Sequence, residues 1–446
     1  MNKYTKLIYF FSLLFLCNCS FDNRSGIWDG IDELKRIAEL EIKQSEGSII
    51  QVYSSKKSNL KEIPSNGIIK LNKSIKNDFW TMPGLNLQNN LGNIYLPSIE
   101  NNFLKKKIGK NKFDFSAIKS SPLIFKNNVI ISDDNGSIFS VTQKGKLNWK
   151  INIYKKIYKK IYKNLTFSVY KDKIYIADNI GFIYSIDANN GNLNWVKNHT
   201  IPLKSKLKIF DDKIFIINQD NRLICLDTNS GTILWDIRSI NSFIKAQNLL
   251  SLSISKAGNI IMLGSSGDLL KINSVNGQLY WSINVAGTSS FSSDFFKSSD
   301  IVIKDNDIIF STTDAIFSFN LSTGYLNWSN YINSINTPII VGKHIFLISE
   351  DGFFVNFDKD TGKIIWSTNI LKILKKRKQE TVITGFILGS EKIYATTLNG
   401  FLIVSSATSG KAEYFTKIGD SLTSSPIISN GSLYILTAKS RIFGFN

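Results

Sequence analysis

Short runs in which apolar and polar residues alternate recur along the chain from about residue 120 to its end. The runs are rich in β-branched and aromatic residues, and no helical stretch of ten or more residues lies between them. They include SIFSV at 137–141, FIYSID at 182–187, RLICLD at 222–227, DLLKIN at 268–273, AIFSFN at 315–320 and FFVNFD at 353–358. Alternation with a period of two is typical of half-buried strands, so the pattern predicts an all-β fold.

A second pattern, glycine followed four positions later by tryptophan, recurs directly behind these runs. The motif ends at Trp149, Trp195, Trp235, Trp281, Trp328 and Trp366, and a seventh copy ends at Tyr414. The copies are 38 to 48 residues apart, a period that fits propeller blades and also some helical repeats. The strand-like runs inside each period favour the propeller.

Each period divides into four short strands separated by turn signals such as Asn135-Gly136 and Asp351-Gly352. In the first complete unit the strands are SPLIF, NVIISD, SIFSV and KLNWKI. A four-stranded sheet of this size cannot bury both faces alone, whereas radial stacking buries each face against a neighbour. The recurrent tryptophan is then expected to fill the space between blades, without a chemical role.

Seven units are complete from about Ser120 to Tyr414, and only three strands follow before Asn446. The run 102–108, NFLKKKI, stands where the missing outer strand of a last blade is expected. The sequence therefore predicts an eight-bladed β-propeller of four-stranded antiparallel blades, with the last blade closed by an N-terminal strand. This closure removes exposed strand edges at the seam.

The amino terminus has the pattern of an export signal. Its apolar run, Leu7–Leu16, follows two lysines and is too short to span a bilayer as a helix. The run ends in Leu-Cys-Asn-Cys, which resembles the lipobox of bacterial lipoproteins and implies cleavage after residue 18 and lipid attachment at Cys19. Cys17 is an alternative acceptor, and an ordinary secretory signal or an uncleaved anchor stays open.

These observations suggest a division into three parts: a signal peptide at 1–18, a lipid-anchored tether at 19–78 and the propeller at 79–446. A diacylglyceryl group with an N-acyl chain suffices for stable membrane attachment. Ser20 stands where the lipoprotein rule places aspartate for inner-membrane retention, so we expect the periplasmic face of the outer membrane.

The formal net charge of +19 alone would allow nucleic acid, an anionic membrane or an acidic protein as partner. Lysine, however, is abundant together with isoleucine and asparagine throughout the chain, which favours a compositional origin. Nucleic acid is not an expected partner of an exported lipoprotein. Cys225 is the one cysteine outside the amino-terminal segment, and we expect it to be a small buried apolar residue.

The repeat, strand, turn, strand and then D-x-x-x-G-x-x-x-W, resembles the PQQ-type propeller repeat. With the lipobox, eight blades and the lead-in FWTMPGLNLQNN at 79–90, the chain resembles the BamB family of lipoproteins of the outer-membrane β-barrel assembly machinery. The resemblance implies a non-catalytic scaffold that docks through one propeller face on the POTRA domains of BamA. It also implies other Bam subunits and nascent outer-membrane proteins as partners.

The loops that follow the tryptophans should all lie on one face, and the longest are 155–163, 239–250, 286–300 and 371–380. In the family, partner contacts come from a Leu-x-Leu-Arg run and an Asp-x-Asp run in two such loops. The nearest matches assign partner contacts to Phe243, Lys245 and Asp294, although lysine replaces arginine and one aspartate is missing.

Two features of these loops leave alternatives open. The aromatic residues Phe291, Phe295 and Phe296 either form an interface core or fold back on the propeller. The basic runs 155–163 and 372–378 either extend a β-hairpin, contact anionic lipid headgroups or form a solvated surface.

An enzymatic alternative is a PQQ-dependent quinoprotein dehydrogenase, which uses a vicinal cysteine pair, a calcium ion and an aspartate base. The propeller has no Cys-Cys pair, and His199 and His344 are expected on opposite faces, so no two-histidine metal site forms. Aspartates recur at one blade position as turn formers, namely Asp187, Asp227 and Asp358. We therefore expect no catalytic residues, cofactor or metal. A periplasmic client-binding propeller outside the Bam complex is a further alternative.

Overall fold

The computed structural model describes residues 20–21, 28–29, 60–65, 67, 69–110, 121–239, 245–285, 296–378 and 381–446. The chain divides into a unit of residues 1–57 and a compact unit of residues 58–446. In the first unit, β1 (Ser20–Phe21) pairs antiparallel with β2 (Trp28–Asp29). No helix in these described ranges is long and apolar enough to cross a membrane.

The compact unit is an eight-bladed propeller of four-stranded antiparallel sheets, as predicted. Blades 1 to 7 are each built from four consecutive strands, the first innermost. Blade 1 has β4 (Leu123–Phe125), β5 (Asn128–Ser132), β6 (Ile138–Thr142) and β7 (Leu147–Ile151). Blade 2 has β8 (Leu165–Tyr170), β9 (Lys173–Asp178), β10 (Phe182–Asp187) and β11 (Leu193–Asn198). Blade 3 has β12 (Lys208–Phe210), β13 (Lys213–Ile217), β14 (Arg222–Asp227) and β15 (Ile233–Arg238).

The next blades repeat this order. Blade 4 has β16 (Ser251–Ile254), β17 (Asn259–Leu263), β18 (Asp268–Asn273) and β19 (Leu279–Asn284). Blade 5 has β20 (Val302–Lys304), β21 (Asp307–Ser311), β22 (Ala315–Asn320) and β23 (Leu326–Tyr331). Blade 6 has β24 (Ile339–Val341), β25 (His344–Ile348), β26 (Phe353–Asp358) and β27 (Ile364–Asn369). Blade 7 has β28 (Ile383–Gly389), β29 (Lys392–Thr397), β30 (Phe401–Ser406) and β31 (Ala412–Lys417). Two 3-10 segments, Lys156–Lys160 and Ile370–Lys378, lie between blades.

Blade 8 joins the two ends of the propeller sequence. It contains β32 (Ile427–Ser429), β33 (Ser432–Leu436), β34 (Arg441–Phe445) and, as its outer strand, β3 (Asn102–Lys107). β3 runs antiparallel to β34, with Leu104 opposite Gly444 and Lys107 opposite Arg441. The prediction that an N-terminal strand closes the last blade is confirmed.

Each motif tryptophan packs on the motif glycine of the following blade. A Cβ built on Gly362 would lie 2.3 Å from the Trp328 ring, and the five other tryptophan–glycine pairs give 2.6 to 3.0 Å. The Trp328 indole N–H also donates to the Lys359 carbonyl of the next blade, at 2.9 Å. The predicted role of the tryptophan as a filler between blades is therefore confirmed, and the glycine supplies the space for it.

We expect Gly362→Ala to lower the free energy of unfolding by about 2–4 kcal/mol, because a left-handed backbone (φ +68°) and a displaced indole add their costs. Gly92→Ala is the matched control, since Gly92 has nearly the same φ (+66°) but nothing within 4 Å of the added Cβ. It should cost only about 1–2 kcal/mol. Urea unfolding of both variants measures the difference, and equal losses would remove the indole contact from the explanation.

The N-terminal segment before β3 closes one end of the central channel. Its residues 80–94, here called the plug, bond to the inner strands of several blades through backbone atoms. These bonds join Trp80 and Ile124, Val169 and Thr81, Ile254 and Leu87, Ile303 and Gln88, and Ile94 and Leu388. The plug is thus held by blades on different sides of the channel.

Part of the segment expected to be a tether also contacts the propeller. Ile63 forms an antiparallel bridge with Ser367 on the outer strand of blade 6, with both N···O distances at 3.0 Å. Glu62 Oε1 forms an ion pair with Lys372 Nζ at 2.9 Å, and the Asn77 side chain donates a hydrogen bond to the Ile428 carbonyl at 2.9 Å. These described residues belong to the compact unit of residues 58–446.

Candidate interaction face and central cavity

The connections from the outer strand of each blade to the inner strand of the next lie at one end of the propeller, here called the loop face. Lys245 lies there in the connection between β15 and β16, and its side chain is 71% exposed. Its Nζ is 4.0 Å from Asp220 Oδ1. The neighbouring Ala246 is fully buried and donates its N–H to the Gln219 carbonyl at 2.8 Å. The buried, hydrogen-bonded Ala246 fixes the backbone beside Lys245, whereas the Lys245 ammonium faces solvent.

The other residues predicted to carry contacts are not in the described part of the chain. Cys19, Phe243 and Asp294 lie outside the described residues, so lipid attachment and two partner contacts stay predictions. Phe296 is described, and its side chain packs against the apolar core between blades 4 and 5. For Phe296 the structure supports the alternative in which the aromatic residue folds back on the propeller.

The two basic runs have different structures on this face. The first contains the 3-10 turn Lys156–Lys160, so the hairpin alternative does not describe it. In the second, Leu374 is buried, as is Leu371 directly before the run. There Lys375 adopts φ +50°, between two short turns. The first run is therefore a projecting turn, whereas the second is fixed to the propeller by buried leucines.

A cavity of about 340 Å³ occupies the central channel between the loop face and the plug. Trp80 and Leu91 of the plug line one end, and Phe386 lies among its apolar walls. Among the charged residues of its lining, Lys206 and Asp300 form an ion pair, and Asp300 also accepts a 3.1 Å bond from Thr337 Oγ1. Burial opposes ionisation of Asp300, but the Lys206 ammonium outweighs it and lowers the pKa below its ordinary value. The cavity thus combines apolar walls with charged groups, of which Lys206 and Asp300 neutralise each other.

Beneath this cavity, Lys208 connects blade 3 to the plug. Its fully buried Nζ donates to Pro83 O and Asn86 O at 2.7 Å and to Asn89 Oδ1 at 2.6 Å. Burial lowers the pKa of this ammonium to about 7. Lys208 has no clear signal in the sequence, because a lysine in a strand of a lysine-rich chain resembles a solvated residue. It stands between Leu207 and the apolar pair Ile209-Phe210, and this is its one distinguishing feature.

The residues required for quinoprotein chemistry do not come together in the described ranges. Among these residues no group of three His, Cys, Asp or Glu side chains is arranged to hold a metal ion. Cys225 is fully buried, and burial raises the pKa of its thiol to about 12. His199 lies in the loop-face connection after β11, whereas His344 begins β25 at the opposite end of its blade. The donor set therefore does not fit a calcium and PQQ site.

The repeated aspartates act as turn formers, as predicted. Asp187 Oδ1 accepts the N–H groups of Asn189 and Asn190 at 2.8 and 3.0 Å. Asp227 and Asp358 make the equivalent bonds in blades 3 and 6. These carboxylates accept hydrogen bonds from backbone N–H groups in the turn between the third and fourth strands.

The fold has close counterparts among solved structures. The chain is similar to BamB from Moraxella catarrhalis, with 14% identity, a TM-score of 0.61 and coverage of 77% of this chain and 100% of that one. It is also similar to a europium-containing methanol dehydrogenase, with 10% identity, a TM-score of 0.62 and coverage of 81% and 89%. A quinohemoprotein alcohol dehydrogenase from Comamonas testosteroni gives 10% identity, a TM-score of 0.61 and coverage of 83% and 81%. At these identities the likeness concerns the fold alone.

Sequence comparison is more specific than the fold. No curated protein sequence matches the chain. A family model described as outer membrane protein assembly factor BamB matches residues 134–368, from the first blade through the sixth. Because this match covers more than half of the 446 residues, the chain belongs to the family of the outer membrane protein assembly factor BamB.

Proposed function

We propose that this protein is a non-catalytic scaffold of the outer-membrane β-barrel assembly machinery. It docks by its loop face on the POTRA domains of a BamA-like protein and aids the insertion of outer-membrane proteins. The observation that carries the proposal is the BamB family match over residues 134–368. Exposed Lys245, on a backbone fixed by Ala246, is a suitable charged contact at the rim of such an interface.

The proposed anchor is a lipid on Cys19, which holds the propeller at the periplasmic face of the outer membrane. Ile63 and Glu62 pair with the outer strand and following turn of blade 6. Other Bam subunits and nascent outer-membrane proteins are further proposed partners, and no cofactor is proposed.

Affinity purification of the full chain from membranes tests the scaffold against its two rivals. The proposal requires a BamA-like protein in stoichiometric amount. Diverse barrel precursors without that protein would instead support a client-binding propeller outside the complex. Dye reduction that depends on added calcium and PQQ would support the dehydrogenase, although the donor set described above does not favour it.

We expect Lys245→Glu to weaken recovery of the BamA-like protein about fivefold to tenfold, because a rim charge is reversed within the interface. Lys144→Glu is the matched control, since Lys144 is also exposed but lies in a turn at the opposite end of blade 1. Quantitative affinity measurements at low and high salt check both variants. Equal losses for the two variants would mean that net charge, not the loop face, determines binding.

A further inference from the structure

The most exposed large apolar side chain among the described residues belongs to the 3-10 turn between blades 1 and 2. Ile157 is 78% exposed there, and Ile161 at its end is 43% exposed. Lys155, Lys156 and Lys160 are exposed around them. Residues 155–161, here called the basic finger, thus present exposed apolar and cationic side chains together on the loop face.

The base of the basic finger is built into the propeller. The Tyr158 ring lies edge-on against Phe182 with centroids 5.4 Å apart, and it also contacts Tyr154 at 6.5 Å. The Tyr158 carbonyl accepts a hydrogen bond from the ammonium of Lys163, whose side chain is buried. Tyr154 in turn donates its hydroxyl to Asp178 at 2.5 Å. Ile157 is therefore exposed on a turn whose base is packed against the propeller.

The lysines of the basic finger have no acidic partner among the described residues. In the part of the chain that the structure describes, Lys155, Lys156 and Lys160 form no ion pair. The nearby carboxylates of Asp134 and Asp178 are buried, at 3% and 1% exposure. A surface that supplies both negative charge and an apolar layer complements this arrangement.

We propose that the basic finger docks the loop face on an anionic phospholipid bilayer. Ile157 and Ile161 enter the boundary between headgroups and acyl chains, and the three lysines contact lipid phosphates. Each such cation is attracted to the negative surface potential of an anionic membrane. Lysine is depleted in protein interfaces, whereas long lysine stems beside apolar residues suit a membrane surface. The inference concerns a different part of the loop face from Lys245 and does not depend on the partner proposed above.

The test places an environment-sensitive fluorescent amino acid at position 157 of the full chain, reconstituted into vesicles. Vesicles of phosphatidylethanolamine and phosphatidylglycerol are compared with phosphatidylcholine vesicles, each with and without brominated acyl chains. We expect a blue shift and bromine quenching at position 157 in the anionic vesicles only, with loss at high salt. Position 275 is the control, because Val275 is a 66% exposed apolar residue in a turn at the opposite end of its blade.

Charge reversal supplies the second comparison. Lys156→Glu combined with Lys160→Glu should reduce the quenching at position 157 about tenfold or more. The same change at Lys144 and Lys411, on the opposite face, should have no effect. Water-like emission at position 157 in anionic vesicles, or equal quenching in phosphatidylcholine, would overturn the proposal. Photocrosslinking from position 157 in cells that captures a protein and no lipid would also overturn it.

Discussion

We expect the oxidised Lys107→Cys/Arg441→Cys variant to be more stable than its reduced form by about 2–5 kcal/mol. The two positions face each other across β3 and β34, and both side chains are exposed. A disulfide between them closes a loop that spans nearly the whole propeller, so it removes much conformational entropy from the unfolded chain. Thermal unfolding with and without reductant measures the gain.

A shifted pair controls for this result. Lys106 lies opposite Ile442, so its side chain is directed to the other face of the sheet from Lys107. Lys106→Cys/Arg441→Cys should therefore form little disulfide under the same oxidation. Cys225 is buried, so it should not compete for the new thiols. Two results would contradict the closure of blade 8 by β3. One is an equal disulfide yield from both pairs, and the other is no gain in stability for Lys107→Cys/Arg441→Cys.

The second large effect is expected for Lys208→Met, which should lower the free energy of unfolding by about 3–5 kcal/mol. Methionine preserves most of the side-chain volume but donates no hydrogen bond. Pro83 O, Asn86 O and Asn89 Oδ1 then lose their common donor inside the propeller. Since these acceptors belong to the plug, we also expect faster amide hydrogen exchange there than in the blades.

Lys204→Met is the matched control for Lys208→Met. Lys204 lies on the same stretch of chain but is only half-buried, and its Nζ bonds to Gln247 O at 3.2 Å. Its loss should cost less than about 1 kcal/mol, because water can replace the bond. Urea unfolding followed by tryptophan fluorescence compares the two variants. A neutral or stabilising Lys208→Met would show that the plug does not depend on this ammonium.

The propeller could be predicted because its signals are local in the sequence. The glycine and tryptophan of each motif lie in one turn and strand, and they mark every blade from Trp149 to Trp366. Blade counting then identified 102–108 as the closing strand, because a three-stranded remainder requires a partner. The structure places β3 within that range.

The plug and the central cavity could not be predicted, because they depend on contacts between distant residues. Asn89 bonds to Leu252 O and Ile301 O, more than 160 residues away, and nothing near it in the sequence indicates this. Lys208 resembles a solvated lysine until the fold encloses it. Segment 60–77 was predicted to be part of a linker because its composition is polar. Nothing in that composition shows that blades 6 and 8 supply its partners.

The partner contacts could be inferred only by resemblance. Phe243, Lys245 and Asp294 were assigned from family runs that this chain matches in part, and only Lys245 lies among the described residues. A contact residue on an exposed loop has no local pattern, because its role depends on a surface outside the chain. Lys245 is accessible to a partner, and binding experiments identify which one.

The most direct test of the scaffold account is photocrosslinking in intact cells from position 245, with position 144 as the control on the opposite face. The account predicts that position 245 captures a BamA-like protein through its POTRA domains, whereas position 144 does not. Capture of that protein from both positions alike, or of other proteins alone from position 245, would contradict docking through the loop face.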